Sequence, residues 1–149
     1  MAVICMKTES LQDFHNLNKT ETDMPEKDAK EHRILVVDDH PSLLRSLADL
    51  IQNLYPGISI RTAENGRQAI EICQDQTIEV AFIDLKLPDI NGFEVTRQIK
   101  QFCPQSHVFV MSIYTEEVYR RQALLAGADG FIAKSTLDVE VPLVLATLY

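Results

Sequence analysis

From Arg33 onward, five short apolar runs rich in β-branched residues alternate with five helical patterns. The runs are Ile34–Val37, Ile58–Thr62, Val80–Ile83, His107–Met111 and Phe131–Ala133. Short continuous apolar runs read as strands buried on both faces, as in a parallel sheet. Between them, Ser42–Leu54 places Leu43, Leu44, Leu47, Leu50, Ile51 and Leu54 on one stripe. Gly66–Gln74 carries Ala69, Ile70 and Cys73, and Gly92–Phe102 carries Phe93, Val95, Ile99 and Phe102. Glu116–Ala126 carries Val118, Tyr119, Ala123 and Leu124, and Thr136–Leu148 carries Leu137, Val141, Val144, Leu145 and Leu148. Strand–helix alternation of this kind predicts an α/β fold with a parallel sheet and helices on both faces. The right-handed crossover rule leaves few topologies. Tyr55-Pro56-Gly57, Asn65-Gly66, Asn91-Gly92 and Gly127 mark turns, and His40-Pro41 marks a helix entry with proline at an early helical position.

The chain has 149 residues, enough for one domain with a core of its own. Hydrophobic residues make up 46% and charged residues 24%, which excludes disorder of the whole chain. The net charge of −8 opposes nucleic-acid contact by this chain alone and opposes anionic membrane surfaces. No apolar run approaches the ~20 residues that span a bilayer. Met1–Lys7 lacks the pattern of a signal peptide, so a cytoplasmic location is expected. Cys5, Cys73 and Cys103 are far apart and form no zinc-ligand spacing, which fits reduced thiols.

The stretch 1–31 differs from the rest. Lys19 to Glu31 is polar, charged and non-periodic, the composition of a segment that does not offset its ordering entropy. Leu11, Phe14 and Leu17 are spaced by three, as on one face of a short helix. A disordered N-terminal extension over 1–31, ahead of a domain over 32–149, is the expectation. A docking element and translation from Met24 are the alternatives.

Ligands in open α/β sheets bind beyond the carboxyl ends of the strands. At those ends stand Asp38 and Asp39 after the first run, Asp84 after the third, Ser112 after the fourth and Lys134 after the fifth. Adjacent carboxylates repel and raise one another's proton affinity unless a cation intervenes. Hard oxygen ligands suit Mg²⁺, which retains waters and accepts phosphate oxygens. A carboxylate can itself be the nucleophile and form an acyl phosphate. Phosphoryl transfer needs chiefly positioning and charge neutralisation, which Mg²⁺, Lys134 and the Ser112 hydroxyl would supply. Singly, Asp38 or Asp39 reads equally well as a turn or helix cap, Asp84 as a solvated loop residue, and Lys134 as a surface charge. Their joint placement at separate strand ends favours a phosphoryl site.

The segments ILVVDDHP (34–41), AENGRQAIE (63–71), VAFIDLKLPDINGFE (80–94), VFVMS (108–112) and AGADGFIAKS (126–135) resemble the response-regulator receiver domain of two-component signalling. The resemblance runs from Arg33 to about Leu148. It implies a flavodoxin-like (βα)5 sandwich with sheet order 2-1-3-4-5. It implies that Asp84 is the phosphoacceptor and also part of the metal site, with Asp39 a direct Mg²⁺ ligand, Asp38 a ligand acting mostly through water, and the Lys86 carbonyl a further ligand. Lys134 would grip the phosphoryl oxygen, Ser112 would move to bond it, and Phe131 would be the switch aromatic packing inward. Leu87-Pro88 and Gly92 would shape the acceptor loop. Lys86, Ile113 and Tyr114 stand where such domains tune access of water to the acyl phosphate.

Some residues depart from the pattern. Lys134 precedes Ser135 rather than proline, and Ile113 replaces the usual small residue after the hydroxyl. Lys134-Ser135 together with Asp38-Asp39-His40-Pro41 resembles the subgroup that often carries a LuxR-type helix-turn-helix. Pro142 falls within a tolerated first turn if the last helix starts near Val139.

The resemblance implies a sensor histidine kinase or phosphotransfer protein as donor. It also implies output through the fourth helix, fifth strand and fifth helix, a surface able to form a homodimer. Catalysis would extend only to the chain's own phosphorylation and dephosphorylation. A stand-alone receiver is expected; the alternative is the receiver fragment of a DNA-binding regulator. A non-phosphorylated interaction module is disfavoured by the complete set of acidic residues. A Mg²⁺-dependent phosphatase is disfavoured by Lys86, which stands where that class carries a second aspartate.

Overall fold

The computed structural model describes residues 31–149. The expected extension over 1–31, with Leu11, Phe14 and Leu17, lies outside the described residues but for Glu31.

The strands are β1 (Arg33–Val37), β2 (Ser59–Ala63), β3 (Val80–Asp84), β4 (His107–Ser112) and β5 (Gly130–Ala133). The helices are α1 (Pro41–Leu54), α2 (Gly66–Asp75), α3 (Gly92–Phe102), α4 (Glu117–Leu125) and α5 (Leu137–Leu148), with a 3-10 turn over Lys134–Thr136. All strand pairs are parallel, in the order β2-β1-β3-β4-β5. This is the flavodoxin-like arrangement expected from the sequence.

Strand periodicity sorts the core into layers. Ile34 and Val36 of β1 point with Phe82 into a cluster closed by Leu44, Leu47 and Ile51 of α1 and Val141 and Leu145 of α5. Leu35 and Val37 point with Ala81 and Ile83 to the opposite face, against Ala69 and Ile70 of α2 and Val95 and Ile99 of α3. A smaller cluster of Leu85, Val110, Ala123, Ala128 and Phe131 seats α4. The central strands are buried on both faces, which is why they read as unbroken apolar runs.

Local chemistry sets the boundaries. Pro41 opens α1, where a missing N–H costs nothing. Asn65 and Asn91 cap α2 and α3 by accepting from Gln68 N and Glu94 N. Gly127, at φ 103°, takes the left-handed conformation just past α4 that a side chain would disfavour. Gly92 starts α3 hard against β3: a Cβ there would lie 2.4 Å from the Asp84 carbonyl oxygen.

Four boundaries or faces differ from expectation. Ile58 is buried but precedes β2, because its N–H donates to the Tyr55 carbonyl in the preceding turn. β2 is an edge strand with Arg61 and Thr62 exposed, so it is not covered on both faces. In α4, Val118 and Leu124 are 55% and 54% exposed, and Ala123 is the fully buried residue. α5 begins at Leu137, so Pro142 lies beyond the first turn, where it cannot donate to the carbonyl four residues back. Among the described residues, no helix is long and apolar enough to cross a membrane.

Candidate functional site

The carboxyl ends of β1, β3, β4 and β5 converge. Asp38 leaves β1 still tied to the sheet, its N–H donating to the Ala63 carbonyl at 3.1 Å. Asp38 and Asp84 are buried, whereas Asp39 and His40 are exposed. The Lys134 ammonium, first residue of the 3-10 turn after β5, lies 2.8 Å from Asp38 Oδ2 and 3.1 Å from Asp84 Oδ1. One cation thus holds two carboxylates from separate strands. The Lys86 N–H donates to Asp84 Oδ1 at 3.3 Å.

The charges are not balanced. Burial and the nearby Asp38 carboxylate push Asp84 above the ordinary aspartate range, against Lys134 and the Lys86 N–H, which pull it down. Burial alone would lower the Lys134 pKa, but its bonds to Asp38 and Asp84 outweigh that and hold it above the usual lysine value. Asp38 Oδ2 is buried and receives no hydrogen bond of directed geometry, so Lys134 meets it as a charge contact.

Oxygen atoms of Asp38, Asp39 and Asp84 and a ring nitrogen of His40 all lie within 4.8 Å of one another. A dication fits this set. Hard carboxylate oxygens are its natural ligands, and the repulsion between Asp84 and Asp38 is what a bound cation would relieve.

Ser112 ends β4 and Phe131 stands on β5, three residues before Lys134. Ser112 is buried at the end of β4, opposite Ala133 of β5. Its Oγ accepts from Tyr114 N at 2.9 Å. Phe131 is buried, with the Arg120 guanidinium 5.2 Å from its ring centre. Ile113 is 70% exposed. The Lys86 ammonium lies 5.1 Å from the centre of the Tyr114 ring, which in turn packs on Tyr119 at 5.5 Å.

The structure therefore brings Asp38, Asp39, Asp84 and Lys134 together. Three features were missed in the sequence. His40 served there only as a boundary marker, yet its ring joins the carboxylates. Lys86 and Tyr114, treated separately, meet across the rim. Asp89, between Pro88 and Ile90, accepts from the N–H groups of Gly66 and Arg67 at 2.9 Å each. It ties the loop after β3 to the start of α2. The signal for Asp89 is weak, because aspartate in a turn is common.

The family model for the response regulator receiver domain matches residues 34–142, and the chain belongs to this family. It is similar to the transcriptional activator protein ExaE of Pseudomonas putida, with 39% identity over 108 residues, 72% of this chain and 50% of that protein. It is also similar to the response regulator UvrY of Escherichia coli, with 24% identity over 78% of this chain and 53% of that one. The chain spans about half the length of these relatives. Among solved structures, a LuxR-family two-component response regulator from Aurantimonas superposes with a TM-score of 0.72 at 26% identity, covering 80% of this chain and 85% of that one. The receiver domain of the putative response regulator NarL from Mycobacterium tuberculosis gives 0.68 at 26% identity, over 78% and 97%.

Proposed function

We propose that this receiver is a Mg²⁺-dependent phosphoacceptor switch, loaded on Asp84 by the phosphohistidine of a sensor kinase or phosphotransfer protein. The observation that carries this reading is the Lys134 ammonium held 3.1 Å from Asp84 Oδ1 inside a group of three carboxylates. A carboxylate oxygen of Asp84 attacks phosphorus as the P–N bond of the phosphohistidine breaks, which forms the acyl phosphate and frees the imidazole. Bound Mg²⁺ supplies two positive charges against the phosphoryl oxygens. Asp38, Asp39, Asp84 and the Lys86 carbonyl are the residues that would hold it. Lys134 neutralises a further oxygen, and Ser112 gives up its bond to Tyr114 N to donate to the phosphoryl group. Phe131 then fills the space that Ser112 vacates. Water attacking phosphorus returns the carboxylate and releases inorganic phosphate, so the chain turns over only its own modification. A relative at 25% identity has been solved as a BeF3-activated receiver domain, a state that fits the same reading here.

The output face in this proposal is α4-β5-α5, read by a partner or by a second copy in a homodimer. Supporting it, α4 leaves Val118, Leu124 and Leu125 more than half exposed, and α5 does the same with Val139 and Leu143. A second reading, a receiver that governs a DNA-binding output domain, is favoured by the transcriptional activator among the relatives and by the half-length match. Either reading places the protein in the cytoplasm. The test is incubation with Mg²⁺ and acetyl phosphate. One base-labile adduct is expected on the wild type and none on Asp84→Asn; an adduct that survives the substitution refutes the assignment.

A further inference from the structure

The carboxylate cluster contains a nitrogen that an oxygen-only Mg²⁺ site does not need. His40 Nδ1 lies 3.0 Å from Asp38 Oδ1 and 3.1 Å from Asp39 Oδ1. Although 70% of its side chain is exposed, the ring turns toward the carboxylates rather than into solvent. The local backbone aims it there. His40 is the residue before α1, its own N–H donates to Asp38 Oδ1 at 2.9 Å, and Pro41 follows with its fixed φ. Two ligands on adjacent corners of an octahedron with bonds of about 2.1 Å are separated by about 3 Å. Both His40 distances match such an edge.

We propose that His40 is a nitrogen ligand of the cation site, making it a mixed N,O centre that prefers borderline divalent metals such as Ni²⁺ and Zn²⁺ over Mg²⁺ by more than its carboxylates alone would give. This rests on the site being a divalent-cation site, as in the proposed function. Imidazole suits nickel and zinc, whereas carboxylate and water suit magnesium. The side chain most affected by exchanging one metal class for the other is therefore His40. The competing account of the same distances is a protonated ring donating to both carboxylates, and metal selectivity separates the two.

Isothermal titration of the full chain with Mg²⁺ and, separately, with Ni²⁺ tests this on the wild type, His40→Ala and Asp39→Asn. In His40→Ala the ratio of Ni²⁺ to Mg²⁺ affinity should fall at least tenfold. In Asp39→Asn both affinities should fall together. Ni²⁺ bound by the remaining histidines contributes equally to all three proteins and cancels in the comparison. An unchanged ratio in His40→Ala, with Mg²⁺ still bound by the wild type, overturns the ligand role and leaves the phosphoacceptor reading standing. Failure of the wild type to bind Mg²⁺ at all instead removes the cation site on which both depend.

Discussion

Lys134 Nζ stands 3.1 Å from Asp84 Oδ1, and the same ammonium touches Asp38 Oδ2 at 2.8 Å. Removing it leaves two buried carboxylates facing each other. Lys134→Ala should therefore destabilise the fold by about 2 kcal/mol without metal, less than a fully buried pair would cost, because Asp84 can take up a proton. Saturating Mg²⁺ should recover much of the loss by binding the native state. Chemical denaturation with and without Mg²⁺ measures both. Equal losses in the two conditions would contradict a shared site for the lysine and the cation.

Asp84 is a stability liability at neutral pH. Its folded pKa is raised, first by burial and then by Asp38. A raised carboxyl contributes stability that is full below its unfolded pKa and is lost as pH rises through the folded one. Asp84→Asn should thus melt higher than the wild type near pH 7 in metal-free buffer, with the difference shrinking toward acid pH. Melting curves across pH show it. A variant less stable than the wild type at neutral pH would reverse the sign.

Asp89 caps α2 from a distant loop. Burial works against its charge, but the N–H groups of Arg67, Gly66 and Ile90 prevail and hold its pKa below the usual range. Asp89→Ala should cost about 1 kcal/mol, the ordinary worth of a cap. With a depressed pKa, the contribution is present above the unfolded pKa of about 3.9 and fades as pH falls through the folded value. The gap between the variant and the wild type should close in acid. It should also slow acetyl-phosphate loading, since the same loop follows Asp84. Unchanged loading would confine Asp89 to a purely structural role.

Tyr114 and Lys86, in the loops that follow β4 and β3, form a cation–π pair. Water must reach phosphorus in line for the acyl phosphate to hydrolyse. Tyr114→Ala should shorten the lifetime of the Asp84 adduct severalfold, a barrier change of about 1 kcal/mol. Loss of the adduct is followed after the phosphodonor is removed at constant Mg²⁺. An unchanged or longer lifetime would sink the shielding role of Tyr114 and leave Ile113 as the next candidate.

The folding unit is proposed to be 32–149. Deleting residues 1–24 should leave the melting temperature and the phosphorylation of Asp84 nearly unchanged. A large drop in melting temperature would mean that Leu11, Phe14 and Leu17 pack on the domain.

The sheet was legible because its central strands are covered twice, so Ile34–Val37 and Val80–Ile83 carry no polar interruption. The cluster of Asp38, Asp39, Asp84 and Lys134 was legible because each residue ends or follows a strand of one sheet. The face of α4 was not. Periodicity counts Val118 and Leu124 as inward, but the close contact is made by Ala123, and helix placement against a sheet depends on partners that no local window contains. His40 was missed because its contribution lies in ring orientation, set by a backbone bond to Asp38 rather than by residue type. Lys86 and Tyr114 were missed as a pair because the strands they follow, β3 and β4, are adjacent only in the folded sheet.

The strand register makes the cluster a staircase. Asp84 lies opposite Met111, Ser112 opposite Ala133, and Lys134 follows immediately. Each step to the next strand advances the key residue by one place along it. A slip of one residue in β4 or β5 would send the affected side chains to the other face of the sheet. Loading of Asp84 by acetyl phosphate, in the proposed reaction, is therefore an assay of strand alignment: a molecule that has collapsed and formed its helices but mispaired β4 or β5 would keep its carboxylates, lose the Ser112 hydroxyl and the Lys134 ammonium from their side, and so look folded by circular dichroism yet load poorly.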